Sequence, residues 1–277
     1  AIHYFTLAAK QGLVVAQNQL GIIYLDNIYI EVDANKSIYY LTMAADQGYA
    51  IAQYNLGYIY FTGKCVDRDI NKAIKYLTLS AKQNHLDAQL YLSYILSDGR
   101  FTKQNIDKAM NYLLLSAEQN NPYALYNLGI SYFHYKKDIN KAIYYFTRAA
   151  NLGLLIAQKQ LALIYYTIKH DVNQSIHYFT LAANQNDADS LNNLGIIFSE
   201  KNGIAYDINK ALYYLNRAIK QNHSEAYNTL GLIYLKGNGV VRDVNRCIFY
   251  MECAVKLNNL GAILNLAAIY FNEEYGV

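Results

Sequence analysis

Six histidines, three cysteines, one Gly-Asn-Gly triplet and a scatter of carboxylates are the residues of this chain with chemistry to offer. Suitably grouped, they would hold a metal, cradle a phosphate or exchange protons. His3, His85, His134, His170, His177 and His223 form no HExxH pair and share no Cys/His grouping of the kind zinc needs. The triplet at 237–239 lacks the Lys-Ser/Thr ending of a phosphate loop and follows a helical pattern, so it reads as a turn. Cys65, Cys247 and Cys253 make no CxxC and no disulfide framework. The acidic residues mostly recur where helix caps belong, and nothing singles out a pair for acid–base work. The expectation is a non-enzymatic protein with no catalytic residue, cofactor or metal.

Hydrophobic residues make up 53% of the 277 and charged ones only 16%, a balance that argues against disorder. A net charge of +3, with no stripe of Lys and Arg, argues against nucleic acid as a partner. No run of about eighteen apolar residues is free of polar groups, so no direct membrane insertion is expected. One proline in the whole chain suits an almost wholly helical fold. The chain begins inside a repeat, so the expectation is a solenoid truncated at both ends. No signal-peptide pattern stands at its start, and the compartment stays open between cytoplasm, periplasm and secretion.

That repeat is the organising feature. The phrase DINKAIYYFTRAA at 138–150 returns as DINKAIKYLTLSA at 69–81 and DINKALYYLNRAI at 207–219. Its small residue recurs at Ala1, Ser37, Ala73, Ala109, Ala142, Ser175, Ala211 and Cys247, spaced by 36 residues except for two steps of 33. A second phrase, AQYNLGYIY at 52–60, interleaves with it. Its leucine never varies: Leu20, Leu56, Leu92, Leu128, Leu161, Leu194, Leu230 and Leu266. A fixed period of this length means a stack of repeats.

Each phrase has helical spacing. Ala52, Leu56 and Tyr60 line one face of a first helix, and Ala142, Tyr145, Phe146 and Ala149 line one face of a second. Asp33, Asp69, Asp138, Asp171, Asp207 and Asp243, with Asn105, are the N-cap candidates of the second helices. A small residue follows most of the fixed leucines. Glycine there costs about 1 kcal/mol in a helix, which close approach of a neighbouring helix would offset. The 33-residue steps remove three residues between the first helix and the capping Asp, so the turn inside a repeat tolerates deletion and the turn between repeats does not. One edge of the stack is thereby uneven midway, a place for a partner to register.

ALYNLGISY at 124–132, GKCVDRDINKAIKYLTLSAKQN at 63–84 and GNGVVRDVNRCIFYMECAV at 237–255 resemble the Sel1-like repeat, a relative of the tetratricopeptide repeat. The likeness spans the chain; the 33-residue units lack the full Gly-rich turn, and Cys247 stands where alanine is usual. It implies an all-α right-handed α–α superhelix of sixteen short helices, a single solenoid domain over 1–277 with seven to eight repeats. It further implies an adaptor or scaffold for proteins, as in quality-control complexes, envelope assembly or pathogen proteins that engage a host.

In such a stack the first helices line the concave face. The residue before the fixed leucine reads Gln19, Asn55, Tyr91, Asn127, Gln160, Asn193, Thr229 and Asn265. Primary amides both donate and accept, so this row suits the backbone of an extended peptide or protein segment; solvated amides, or amides bonded to neighbouring helices, are the alternative. A rim row two turns on holds Asp26, Thr62, Asp98, His134, Thr167, Glu200, Lys236 and Asn272. Tyr54, Tyr91, Tyr126 and Tyr227 are candidate contact rings, with packing between repeats as the alternative. The competing uses of the same architecture are a structural spacer that self-associates end to end through the apolar terminal repeats, and the recognition module of a larger protein with its activity elsewhere.

Overall fold

The computed structural model describes residues 2–26 and 31–271. Among them run sixteen α-helices and no strand. The first helices are α2 (Val14–Ile23), α4 (Ala50–Thr62), α6 (Leu86–Ser97), α8 (Pro122–His134), α10 (Leu155–Thr167), α12 (Ala188–Ser199), α14 (Ser224–Lys236) and α16 (Leu260–Phe271). The second helices are α1 (Ile2–Lys10), α3 (Ala34–Asp46), α5 (Ile70–Ala81), α7 (Ile106–Glu118), α9 (Ile139–Asn151), α11 (Val172–Asn184), α13 (Ile208–Ile219) and α15 (Val244–Lys256). Residues 1–149 and 150–277 form two compact units, each a stack of helix-turn-helix repeats. The all-α solenoid expected from the period is the fold observed. Position 1 of the repeat alignment and rim residue Asn272 lie outside the described residues.

Every second helix from α3 to α15 starts on the carboxylate or amide expected of it. Asp33, Asp69, Asn105, Asp138, Asp171, Asp207 and Asp243 each accept from the backbone N–H three residues on, at 2.9–3.1 Å. This satisfies one of the donors a helix start leaves open. The turns between repeats carry a Gly or Asn with positive φ just before the next N-cap, such as Gly48 at 86° and Asn84 at 63°, residues for which the left-handed region is least costly. The turns inside repeats take up the length change. They have four residues at 135–138 and 168–171, against seven at 63–69 and 237–243.

The core repeats with the period. Leu20, Leu56, Leu92, Leu128, Leu161, Leu194 and Leu230 are at most 1% exposed. A Cβ built on Gly57 would stand 2.6 Å from Cγ of buried Leu77, and one on Gly129 2.5 Å from the Phe146 ring. The glycine therefore seats a large side chain of the following helix directly on the backbone. Beside it, rings of first and second helices stack in columns: Tyr24–Tyr40, Tyr60–Tyr76, Tyr132–Tyr145, Tyr165–Tyr178, Phe198–Tyr214 and Tyr234–Tyr250. Their centroids are 5.4–6.1 Å apart, within 14° of parallel. In five columns the cation of the Asp-x-x-Lys/Arg pair lies over the outer ring at 4.9–5.3 Å. The recurrent lysine and many of the tyrosines are thus absorbed by architecture.

Buried glutamines tie successive helices. Gln17, Gln53, Gln89 and Gln158 each donate to the carbonyl eight residues back, at Ala9, Ala45, Ala81 and Ala150, over 3.0–3.3 Å. Gln17, Gln53 and Gln158 then accept from Gln47, Gln83 and Gln185 of the next second-helix end, at 2.7–2.8 Å. A buried amide stays inexpensive only when paired in this way.

Candidate partner-binding face

The row before the fixed leucine lies on the first helices, one residue per repeat, and its members differ in what they touch. Gln19 and Asn127 are exposed and Gln160 is half-buried. Asn55 donates to Asn18 Oδ1 at 2.9 Å, and Asn265 donates to Asn228 Oδ1 at 2.9 Å. Thr229 donates to Asn192 Oδ1 at 3.1 Å and also bonds its own helix at Glu225. Asn193 donates to the carbonyl of Asp189, four residues back. Tyr91 packs edge-on to Tyr58 and Phe61, 5.4 and 5.8 Å away.

Three members of the row are therefore tied to the previous first helix, through an amide two residues before that helix's leucine. Asn18 and Asn192 in this second row are 2% and 7% exposed, so they need a donor from the next repeat. The repeat alignment puts Asn18, Asn192 and Asn228 in one register, a signal present in the sequence that the reading of single helices did not use.

Clefts open between successive first helices. One of about 310 Å³ lies between α2 and α4, lined by Asp26, Asn55, Tyr58 and Lys64. One of about 140 Å³ has Asn127 with Ser93 and Ser97. One of about 430 Å³ lies between α12 and α14, with Glu200, Glu225, Asn228, Thr229 and Lys236. Each cleft takes one wall residue from the predicted row.

The rim row is less available. The hydroxyls of Thr62 and Thr167 bond carbonyls of their own helices, at Tyr58 and Leu163. Asp98 is held by Arg100 at 2.6 Å, and the guanidinium keeps its carboxyl below the usual range. Glu200 accepts from Tyr166 at 2.7 Å. Burial and then that carboxylate push the Tyr166 phenol up to about 12.

Of the two uses open to the tyrosines, the structure shows packing. Tyr54, Tyr91, Tyr126 and Tyr227 are half-buried rather than exposed. Tyr54 stacks on His85 at 4.7 Å, and Tyr126 leans on Phe146 at 5.5 Å. Burial raises the phenols of Tyr54, Tyr91 and Tyr126. Tyr54 and Tyr91 meet across two repeats at 6.0 Å, while Tyr126 and Tyr227 face the second helix of their own repeat at Phe146 and Tyr250; the helix period cannot tell a groove wall from such a seam. Four exposed rings share one register of second helices, Tyr39, Tyr144, Tyr213 and Phe249, and Tyr94 and Tyr123 are exposed on first helices.

A charged chain crosses the starts of first helices in residues 150–277. Lys159 meets Asp187 at 3.0 Å and Asp189 at 2.6 Å, and Asp189 meets His223 Nε2 at 3.0 Å. Hydrogen bonds from Lys159 and His223 hold the Asp189 carboxyl below its ordinary value. Among the described residues no group of three or more His, Cys, Asp or Glu is placed to hold a metal ion. No described helix is long and apolar enough to cross a membrane.

The Sel1 repeat pattern matches residues 1–13, 14–49, 50–85, 86–121, 122–154, 156–187, 188–223 and 224–259. Among solved structures, the chain is similar to a protective antigen present in uropathogenic Escherichia coli strains that displays an SLR fold. The identity is 27% and the TM-score 0.76, covering 98% of this chain and 59% of that one. It is also similar to a Sel1 repeat protein from Oxalobacter formigenes, with 26% identity and a TM-score of 0.74 over 97% of this chain and 79% of that one. The chain thus spans little more than half of the antigen's length. No curated protein matches the sequence.

Proposed function

The chain belongs to the Sel1 repeat family, whose stacked hairpins serve protein–protein interaction, and we propose that it is a non-enzymatic scaffold that takes an extended segment of a partner protein along its first helices. The recurrence of clefts between successive first helices, each with a wall residue from the row at Asn55, Asn127 or Thr229, carries this reading. An extended strand has backbone donors and acceptors to spare, and exposed amides answer both. Of the row, Gln19, Asn127 and Gln160 keep both amide N–H groups for a partner and are the principal binding residues, whereas Asn55 and Asn265 each commit one of two, and Thr229 its single hydroxyl proton, inside the fold.

A photo-crosslinking side chain placed at Asn127, and separately at Tyr144 on a second helix, tests this in cells that make the protein. A partner trapped from position 127 and absent from position 144 is expected. The reverse pattern sinks the proposal.

A second reading draws on the terminal helices. Tyr4 and Tyr270 occupy the two registers that form ring columns elsewhere, yet they are 74% and 54% exposed. Leu264, on the same helix as Tyr270, is 71% exposed. Head-to-tail stacking of copies would cover all three. Light scattering over a concentration series decides it: a strictly monomeric chain rejects self-association.

A further inference from the structure

We infer that the segment bound on the first helices is basic, and that it places a lysine or arginine side chain in the cleft between α12 and α14. This rests on the partner-face reading above and names the chemistry of the partner.

Within residues 150–277 the two helix sets differ in charge. Counted with their caps, first helices carry four carboxylates, Asp187, Asp189, Glu200 and Glu225, against two ammonium groups, Lys159 and Lys236. Second helices carry five cations against four carboxylates. The chain is +3 overall, so the acidic balance of the first helices runs against the whole. Lys159 is consumed by Asp187 and Asp189. Glu200 and Glu225 form no ion pair with any described residue. Each commits one oxygen within the fold, Glu200 to Tyr166 and Glu225 to Asn259 at 2.8 Å.

Both glutamates line the 430 Å³ cleft, whose floor includes Ile196, Leu232 and Ile233. Lysine and arginine have this same division, an apolar stem and a charged head. The stem lies on the floor, and the head reaches the free carboxylate oxygens in charge-assisted bonds. Asn228 and Thr229 on the wall remain beside the partner's backbone. Lys236, which also lines the cleft, offsets one of the two charges and leaves the lining net acidic, so an acidic or phosphorylated segment is disfavoured.

Selection from a phage-displayed library of random twelve-residue peptides against the 277-residue chain tests this. The winners are then synthesised and their Kd measured against the chain, the Glu200→Gln/Glu225→Gln double variant, Leu232→Ala, and Glu252→Gln on a second helix. Circular dichroism checks that each variant stays folded. Winners rich in Lys and Arg, weakened about tenfold by the double variant and unaffected by Glu252→Gln, are expected. Neutral or acidic winners, or basic ones weakened less than about threefold, overturn the basic-partner inference. If such winners still respond to Leu232→Ala, the partner face itself stands. No winners, or winners indifferent to every first-helix substitution, overturn both.

Discussion

Arg217 donates from its guanidinium to the carbonyl of Ala183 at 3.1 Å. In four other repeats the equivalent oxygen, eight residues before the position after the first-helix alanine, is met by a glutamine. Here that position is Leu191, buried and with nothing to donate. Arg148 does the same for Ala117 at 3.3 Å, in the other repeat where leucine, Leu125, replaces the glutamine. A helix-end carbonyl needs a donor, and the chain supplies it from whichever side the repeat allows. Arg217→Leu should cost about 1–2 kcal/mol. Adding Leu191→Gln should restore most of that loss, as measured by urea unfolding. Additive losses in the double variant would mean the two donors are not interchangeable.

Gly57→Ala should destabilise although alanine is the better helix former. The propensity gain is about 1 kcal/mol. The new Cβ, however, meets the Leu77 side chain, which is 0% exposed and has nowhere to move. Overpacking of this kind costs about 1–3 kcal/mol, so a net loss is expected in thermal melts. A raised melting temperature would show that the α4–α5 contact gives way easily.

Asn55 and Asn127 occupy equivalent positions and should behave differently. Asn55→Ala leaves the buried Asn18 oxygen without its donor and should lower stability by about 0.5–1.5 kcal/mol. Asn127→Ala removes an exposed amide and should stay within about 0.5 kcal/mol of the parent, while weakening partner binding. Chemical denaturation of both variants, read beside one binding assay, separates the structural amide from the recognition amide.

The N-cap of α6 should carry a pH dependence. His85 Nδ1 accepts from the Ala88 N–H at 3.4 Å, which only an unprotonated Nδ1 can do. Burial lowers the His85 pKa below 6.5, with Asp87 opposing. The folded chain therefore binds its proton less readily than the unfolded chain. The resulting stability is complete above about pH 6.5 and is lost as pH falls from there through the folded value. His85→Asn should flatten that part of the curve, since Asn121 caps α8 from the same register with no titratable group. Melting temperatures between pH 7.5 and 5 check this; equal slopes in both proteins would reject it.

The fold was legible in the spacing because its determinants are local or strictly periodic. Asp138 caps α9 through an N–H three residues away, and Leu56 is buried because the same contact recurs each repeat. A reading confined to one helix and its turn captures both. The proposed partner face was legible only as a row. Gln19 and Asn127 are indeed on the surface, but Asn55 and Asn265 turn inward to amides 37 residues earlier.

By itself the sequence determined the all-α repeat, its caps, its leucine core and the turn that changes length. Tertiary structure decided which side of each first helix a neighbour covers: it half-buried Tyr54 against the next repeat and Tyr126 against Phe146, and left Tyr144 and Tyr213 in solvent. It also decided that Arg217 finishes a helix 34 residues away and that Glu200 and Glu225 share one cleft. The physical reason is one of range. Helical periodicity states which residues share a face, whereas the rotation of one hairpin on the next sets what that face meets, and that rotation emerges only when the buried side chains are packed together.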